Sequence, residues 1–260
     1  MPRLPSSPDG GSTREAPESL RPHPPLRRYY SNEQERKRQV NTWFDESASH
    51  YDSITQAMSL GSGHRYRKDA LVRAGLAEGM RMIDVACGTG VIAAHAQDIV
   101  GAGGVAIGTD RSGGMLREAR RRGVRWLVHA TAENLPFESE GFDFLSMGYA
   151  LRHVTDLHAT FREYRRVLRP GGKVLVLEIT PPRSRLSFLM LKFYMGRIVP
   201  LAARLGRGGQ GAQELMEYYW DTIENCVPPH VILEAFKEAG FSSAERHVVL
   251  GIFSEYVAVR

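Results

Sequence analysis

The run Met82-Ile83-Asp84-Val85-Ala86-Cys87-Gly88-Thr89-Gly90 constrains the fold of this chain more than any other. An apolar strand carries an acid near its end and runs straight into a glycine-rich turn. Glycines there let the backbone pass close to a ligand, because no Cβ stands in the way. A second strand-like run, Val105 to Thr109, is closed by Asp110, twenty residues past Gly90. An acid at the tip of such a strand accepts hydrogen bonds from a ribose diol. Together these features describe a nucleoside cofactor lying across the carboxyl ends of parallel strands.

Gly88-x-Gly90-x-x-Ala93 formally satisfies the relaxed dinucleotide fingerprint, so a nicotinamide or flavin dinucleotide has to be weighed. Asp84 argues against one. It precedes the glycines, where a negative charge would repel a pyrophosphate, but the same charge suits the α-ammonium of a bound amino acid. S-adenosylmethionine (SAM) offers both a ribose for Asp110 and a cationic methionine end. The bland alternative is that Asp84 only caps a turn.

Helix and strand signals alternate along the chain. Helices are predicted over Tyr66–Leu76, Val91–Ile99, from Ser112, from Asp156 and over Pro229–Ala239. Strands are predicted over Met82–Val85, Val105–Thr109, Trp126–His129, Phe142–Met147 and Lys173–Leu177. Arg169-Pro170-Gly171-Gly172 forces a tight turn before the last of these. The alternation implies an α/β fold with a doubly wound, mainly parallel sheet. Glu245–Leu250 and Ser254–Val259, separated by Gly251, read as an antiparallel edge at its C-terminal end.

Length allows one such domain plus an extension. Residues 1–28 hold seven of the fourteen prolines, so the composition predicts a disordered tail with the ordered domain over 29–260. No signal peptide is apparent, and a cytoplasmic setting is expected. The net charge of +5 is spread along the chain, with Arg120-Arg121-Arg122 read as a solvated helix terminus. No basic stripe is interleaved with aromatics, so nucleic acid is not an expected partner. Cys87 and Cys226 have no partner at ligand spacing, which argues against a metal site.

Six pieces, in order and at consistent spacing, resemble a known family: Trp43-Phe44-x-x-x-Ala48-x-x-Tyr51-Asp52, Met58-Ser59-Leu60-Gly61, Asp84-x-x-x-Gly88-Thr89-Gly90, Ala132-Glu133-x-Leu135-Pro136-Phe137, Leu151-Arg152-His153-Val154-Thr155-Asp156 and Arg166-Val167-Leu168-Arg169-Pro170-Gly171-Gly172. From about Trp43 onward the chain looks like a class I SAM-dependent methyltransferase, and more specifically like the ubiquinone/menaquinone biosynthesis C-methyltransferases. The resemblance implies a seven-stranded Rossmann-like methyltransferase fold, an N-terminal cover over 29–65 and a helical substrate cover over 183–228. It implies SAM as cofactor, with S-adenosylhomocysteine as its product. Asp84, Gly88 and Gly90 would surround the methionine part, Asp110 the ribose, and Met115 the adenine. Thr131, Ala132 and Glu133 would hold the adenine edge. Tyr51 would meet the carboxylate end of SAM or the substrate, and Arg111 and Gly148 complete the cofactor set.

Chemistry is expected after the fourth strand, at Gly148-Tyr149-Ala150-Leu151-Arg152-His153. His153 is a base near neutral pH, and Arg152 would stabilise a phenolate or enolate by charge-assisted hydrogen bonds. Tyr149 completes the catalytic set. The base-amine sequence Asn/Asp-Pro-Pro-Tyr/Phe of nucleic-acid enzymes is absent here. Relatives of the quinone family usually carry Asn at His153 and Phe at Tyr149, and Asp or Asn at Thr131. Their C-terminus also differs from Gly251-Ile252-Phe253-Ser254-Glu255-Tyr256. These departures favour an enzyme methylating a carbon or oxygen of a phenolic, enolic or polyketide-like small molecule in specialised metabolism. Methylation of a prenylated quinone precursor is the second reading, and SAM binding without catalysis the third. Leu186 to Leu205 reads as an amphipathic helix pair, too polar and interrupted to span a membrane. It is left open as a lid, a homodimer surface or a transient membrane contact, and Tyr218, Tyr219 and Trp220 as lining for an aromatic site.

Overall fold

The structure is a computed structural model that describes residues 19–59, 63–205 and 209–260. Five parallel strands, β1 (Arg81–Val85), β2 (Val105–Asp110), β3 (Trp126–His129), β4 (Phe142–Gly148) and β5 (Leu168–Ile179), are joined by β6 (Ser243–Val249) and β7 (Phe253–Val259). The sheet order is β3-β2-β1-β4-β5-β7-β6, with β7 antiparallel to both β5 and β6. This is the expected seven-stranded, doubly wound sheet with an antiparallel C-terminal edge. The order reverses between β1 and β4, which is where open α/β sheets bind ligands.

Helices α2 (Gly63–Ala74), α3 (Val91–Val100), α4 (Gly113–Arg121) and α5 (Leu157–Val167) flank the sheet, and α9 (Pro229–Glu238) packs beside α5. The Ser112 hydroxyl accepts from Met115 N–H and caps α4, and Asp156 caps α5. Each supplies an acceptor that the first helical turn otherwise lacks. Phe161 of α5 stacks on Phe236 of α9 with centroids 3.7 Å apart, inside the cluster on one sheet face. β5 is longer than expected. Its register jumps from Phe142↔Leu168 to Phe144↔Lys173, so the Pro-Gly-Gly turn bulges out of the strand, with Gly171 at φ 77°.

One expectation about the N-terminus changes. Residues 1–18 of the expected tail lie outside the described residues, but residues 19–28 are packed rather than disordered. Leu157 N–H donates to Leu20 C=O, Val227 N–H donates to Pro22 C=O, and His23 is buried. Prolines that lower the helix and sheet signal also hold the segment extended, ready to pair with loops. Beyond it lies helix α1 (Glu33–Ser59), within the segment expected as a cover. Leu60 and Gly61 of the second family motif lie outside the described residues.

The substrate-cover segment also differs from a helix pair. Helices α6 (Arg185–Phe193) and α7 (Val199–Leu205) are joined without a break by a π-helical turn, Tyr194–Ile198. Val199 N–H reaches Tyr194 C=O five residues back, and the wider turn absorbs Pro200, which has no N–H to give. The result is one helix that is long and apolar enough, by length and composition, to cross a membrane, contrary to the expectation that the stretch is too polar and interrupted. Its inner face, through Met195, Val199 and Ala203, packs on α8 (Gly209–Glu224) in a cluster with Trp43, Tyr218 and Trp220. Residues 206–208, between α7 and α8, lie outside the described residues.

Candidate active site

A cleft with about 1160 Å³ of open space, its mouth included, lies at the sheet's reversal point. All the catalytic and cofactor residues proposed from sequence line it except Gly90 and Arg152, and of the expected aromatic lining Tyr219 does so while Tyr218 and Trp220 do not.

The glycine turn shapes one wall. Gly88 has φ 55°, and a Cβ there would meet no atom within 4 Å, so its backbone faces open cleft. Gly90 serves packing instead. A Cβ there would sit 2.8 Å from Val124 and 2.9 Å from Ala119, where α4 and the following loop press on the turn. Asp110 is tied to both neighbouring loops: Gly88 N–H donates to its Oδ2 at 2.9 Å and Ser112 N–H to its Oδ1 at 2.8 Å. Burial nonetheless raises its pKa. Each carboxylate oxygen keeps a lone pair for a ribose hydroxyl.

Asp84 is 1% exposed. Its Oδ1 accepts from the Ser146 hydroxyl at 2.7 Å, while Oδ2 is buried without a partner. Burial pushes its pKa up to about 7. A cationic ligand at Oδ2 would supply the missing partner and hold the carboxylate ionised. Opposite stands Arg67 of α2, which sequence reasoning missed. Its guanidinium lies 4.9 Å from the Tyr149 ring centroid and pairs with no carboxylate among the described residues. An orphan carboxylate and a cation lacking an anion fit the two charged ends of an amino acid, which is the zwitterionic end of SAM. Only the basic run His64-Arg65-Tyr66-Arg67-Lys68 hinted at Arg67, and that pattern is indistinguishable from a solvated helix face.

Met115, 1% exposed, lines the cleft together with Thr131, Ala132 and Glu133, the residues expected on the adenine side. Glu133 accepts from Thr155 N–H at 2.6 Å, which joins this loop to the one after β4. The Arg111 guanidinium donates to Lys37 C=O at 2.9 Å, anchoring α1.

Helix α1 closes the top. Asp45 accepts from the Ser112 hydroxyl at 2.6 Å and from Gly114 N–H at 2.7 Å. Asp52 accepts from the Thr89 hydroxyl at 2.6 Å and pairs with Arg122. Arg122 is therefore an ion-pair partner that locks the cover to the glycine turn, not part of a solvated terminus.

The loop after β4 separates its two candidate groups. Gly148 packs so closely that a Cβ would run into Ile92 Cδ1. Tyr149 then adopts φ 60°, a left-handed conformation that costs a non-glycine residue energy and is held by its surroundings. Arg152 does not reach the cleft. It is fully buried, donates to Glu178 at 2.8 Å, to Thr222 at 2.6 Å and to the carbonyls of Tyr219 and Tyr149 at 3.2 Å. Four of its five N–H donors are used inside the protein, so the expectation that it stabilises charge on an acceptor is corrected to one of holding the loop after β4, β5 and α8 together. His153 faces the cleft. Neither ring nitrogen has a partner, and the ring stacks on Tyr218 at 5.6 Å and meets Phe44 edge-on at 5.4 Å. Burial, and then the Arg152 charge, lowers its pKa well below the usual histidine value. Burial likewise raises the phenols of Tyr51 and Tyr149, which keeps them neutral donors. Among the described residues, no group of three or more His, Cys, Asp or Glu is placed to hold a metal.

A doubly wound sheet reversing at a cleft with these charged ends defines a class I SAM-dependent methyltransferase. The chain matches the model of the ubiE/COQ5 methyltransferase family over residues 31–260 and belongs to that family. It is 31% identical over 228 residues to a demethylmenaquinone methyltransferase of Symbiobacterium thermophilum, covering 84% of this chain and 90% of that one. It is 32% identical over 206 residues to the ubiquinone/menaquinone biosynthesis C-methyltransferase UbiE of Desulfotalea psychrophila, covering 78% of this chain and 82% of that one. A SAM-dependent methyltransferase from Thermotoga maritima shares the fold, with a TM-score of 0.60 at 20% identity over 85% of this chain and 99% of that one. These relatives overturn the expectation of a specialised-metabolite enzyme. Departures at single positions such as Tyr149 and His153 weigh less than similarity maintained along nearly the whole chain.

Proposed function

We propose that the protein methylates a ring carbon of a prenylated hydroquinone precursor of menaquinone or ubiquinone. The names of its relatives support this reading. The observation that carries it is the aromatic end of the cleft, where Phe44, Tyr218 and Tyr219 pack against a histidine with two unpartnered nitrogens. SAM, when bound, supplies an electrophilic methyl group. Asp84 would hold its ammonium, Arg67 and Tyr51 its carboxylate and Asp110 its ribose. His153, neutral at physiological pH, would take the acceptor's phenolic proton and so raise electron density at the adjacent ring carbon. Tyr149 would donate a hydrogen bond to the acceptor's oxygen. The surrounding rings exclude water from that proton transfer. A cytoplasmic setting fits the two free thiols, Cys87 and Cys226.

Incubation with SAM and a prenylated hydroquinone is expected to yield a product bearing one new methyl on carbon, identified by mass spectrometry and NMR. An oxygen-methylated product, or turnover confined to acceptors that relatives of this kind do not use, overturns the reading.

Two cofactor predictions accompany it. Asp110→Ala is expected to weaken SAM binding tenfold or more by calorimetry, because a charge-assisted ribose contact contributes about 1.5–3 kcal/mol. Affinity should also depend on pH through Asp84. Its carboxyl, at about 7 in the free protein, must be ionised to hold an ammonium. Affinity should therefore fall as pH drops below 7, by up to about tenfold per unit. Asp84→Asn should bind more weakly and lose that slope. A wild-type affinity flat between pH 5.5 and about 7 excludes the ammonium role.

A further inference from the structure

The most extended exposed apolar feature among the described residues is the outer face of the helix formed by α6 and α7. Leu186, Leu189, Met190, Phe193, Leu201 and Leu205 are 55–78% exposed. At about 100° per residue, a uniform helix would carry Leu201 and Leu205 about 60–100° away from Leu186. The π turn at Tyr194–Ile198 holds extra residues in its circuit and rotates α7 back. The stripe thus stays on one face while Met195, Val199 and Ala203 stay buried on the other.

The charges on this helix and on the residues leading into it have one sign. Residues 181–205 contain Arg183, Arg185, Lys192, Arg197 and Arg204 and no Asp or Glu. Lys192 pairs with Glu224, and the other four have no carboxylate partner among the described residues. The nearby acids Glu217 and Asp221 of α8 are paired with Arg28. An apolar face rimmed by cations matches an anionic lipid surface, whose headgroups attract Lys and Arg while its acyl boundary accepts leucine and phenylalanine. A second copy is a poor occupant, because a two-fold interface would set the same cationic rims against each other. Spanning is disfavoured by the inner face, which would have to leave α8.

We propose that this helix lies in the headgroup layer of an anionic bilayer and anchors the enzyme to it. The proposal stands on the surface and not on the identity of the acceptor. It places the roof of the cleft at the lipid boundary, since the inner face of the same helix belongs to the cluster that Tyr149 and Tyr51 join.

The test is sedimentation of the full chain with phosphatidylglycerol/phosphatidylcholine vesicles and with phosphatidylcholine vesicles alone. Wild type is expected to partition at least tenfold more strongly to the anionic vesicles and to be released by high salt. The double variant Leu189→Glu/Phe193→Glu is expected to lose that binding tenfold or more, with melting temperature and calorimetric SAM affinity unchanged. Arg197→Glu/Arg204→Glu should lose the preference for anionic lipid. Equal binding by wild type and Leu189→Glu/Phe193→Glu, or no binding by either, overturns the proposal. So does a wild-type dimer in light scattering that Leu189→Glu/Phe193→Glu makes monomeric, which would assign the stripe to a second copy. Bound protein that resists both salt and alkali would assign it to a span.

Discussion

Arg152→Ala is expected to destabilise the protein severely before it affects any chemical step. The guanidinium and the Glu178 carboxylate are buried together, at 0% and 1% exposure. Glu178 also accepts from Leu151 N–H at 2.9 Å, so it fixes the turn that starts the site loop. Removing the arginine leaves an uncompensated buried carboxylate and strands Thr222 and two carbonyls. Breaking such a pair costs about 3–5 kcal/mol, a large part of the roughly 5–15 kcal/mol that holds a domain folded. Urea denaturation should show the midpoint falling steeply. Arg152→Met with Glu178→Gln should recover much of the loss, because both charges are gone and an amide oxygen still serves Leu151. If Arg152→Ala instead keeps wild-type stability and loses only turnover, the guanidinium faces the acceptor and the structural assignment fails.

The second large effect is at His153. Replacement by alanine should lower turnover about 10²-fold with SAM affinity nearly unchanged, since no proposed cofactor contact is lost. The sign of the pH dependence follows from the lowered pKa. The base is active when neutral, so its contribution is present above the folded pKa and lost as pH falls through it. That limb should lie on the acidic side of 6.5, leaving turnover free of a histidine limb near neutrality. Acidic acceptors, which arrive already ionised, should suffer less from the substitution. A uniform loss across acceptors of different acidity would mark His153 as a positioning group. The same conclusion follows if His153→Asn restores turnover, because an amide can hydrogen-bond but is not a base at this pH.

The strands and sheet-flanking helices were readable because their signals are local. Apolar runs end at glycines, and Ser112 and Asp156 stand where caps are needed. What escaped depends on partners far along the chain. Val40, Trp43, Ser47 and Tyr51 recur at helical spacing on α1, but charges between them mask the stripe, and its anchors at Thr89 and Ser112 are distant. Arg152 and His153 are neighbours in sequence and diverge in a tight 3-10 turn. Nothing in the turn's own residues says which of the two meets Glu178. Residues 19–28 look like a tail by composition because their order comes from loops before α5 and after α8. The acceptor is poorly legible in the sequence because polar residues such as Tyr149 and His153 change the pocket without changing the fold or the family.

Helix α1 fastens to two separate loops, through Asp45 at the head of α4 and through Asp52 at the glycine turn. Both loops belong to the proposed cofactor site, and α1 contributes Phe44, Tyr51 and Thr55 to the cleft above them. A cofactor seated there would lie under a clasp with two catches. Product-inhibition kinetics are then expected to show an ordered sequence, with cofactor entering first and spent cofactor leaving last. Loosening either catch should speed that departure even where it slows methyl transfer, so the fastest exchanger and the best catalyst need not be the same protein.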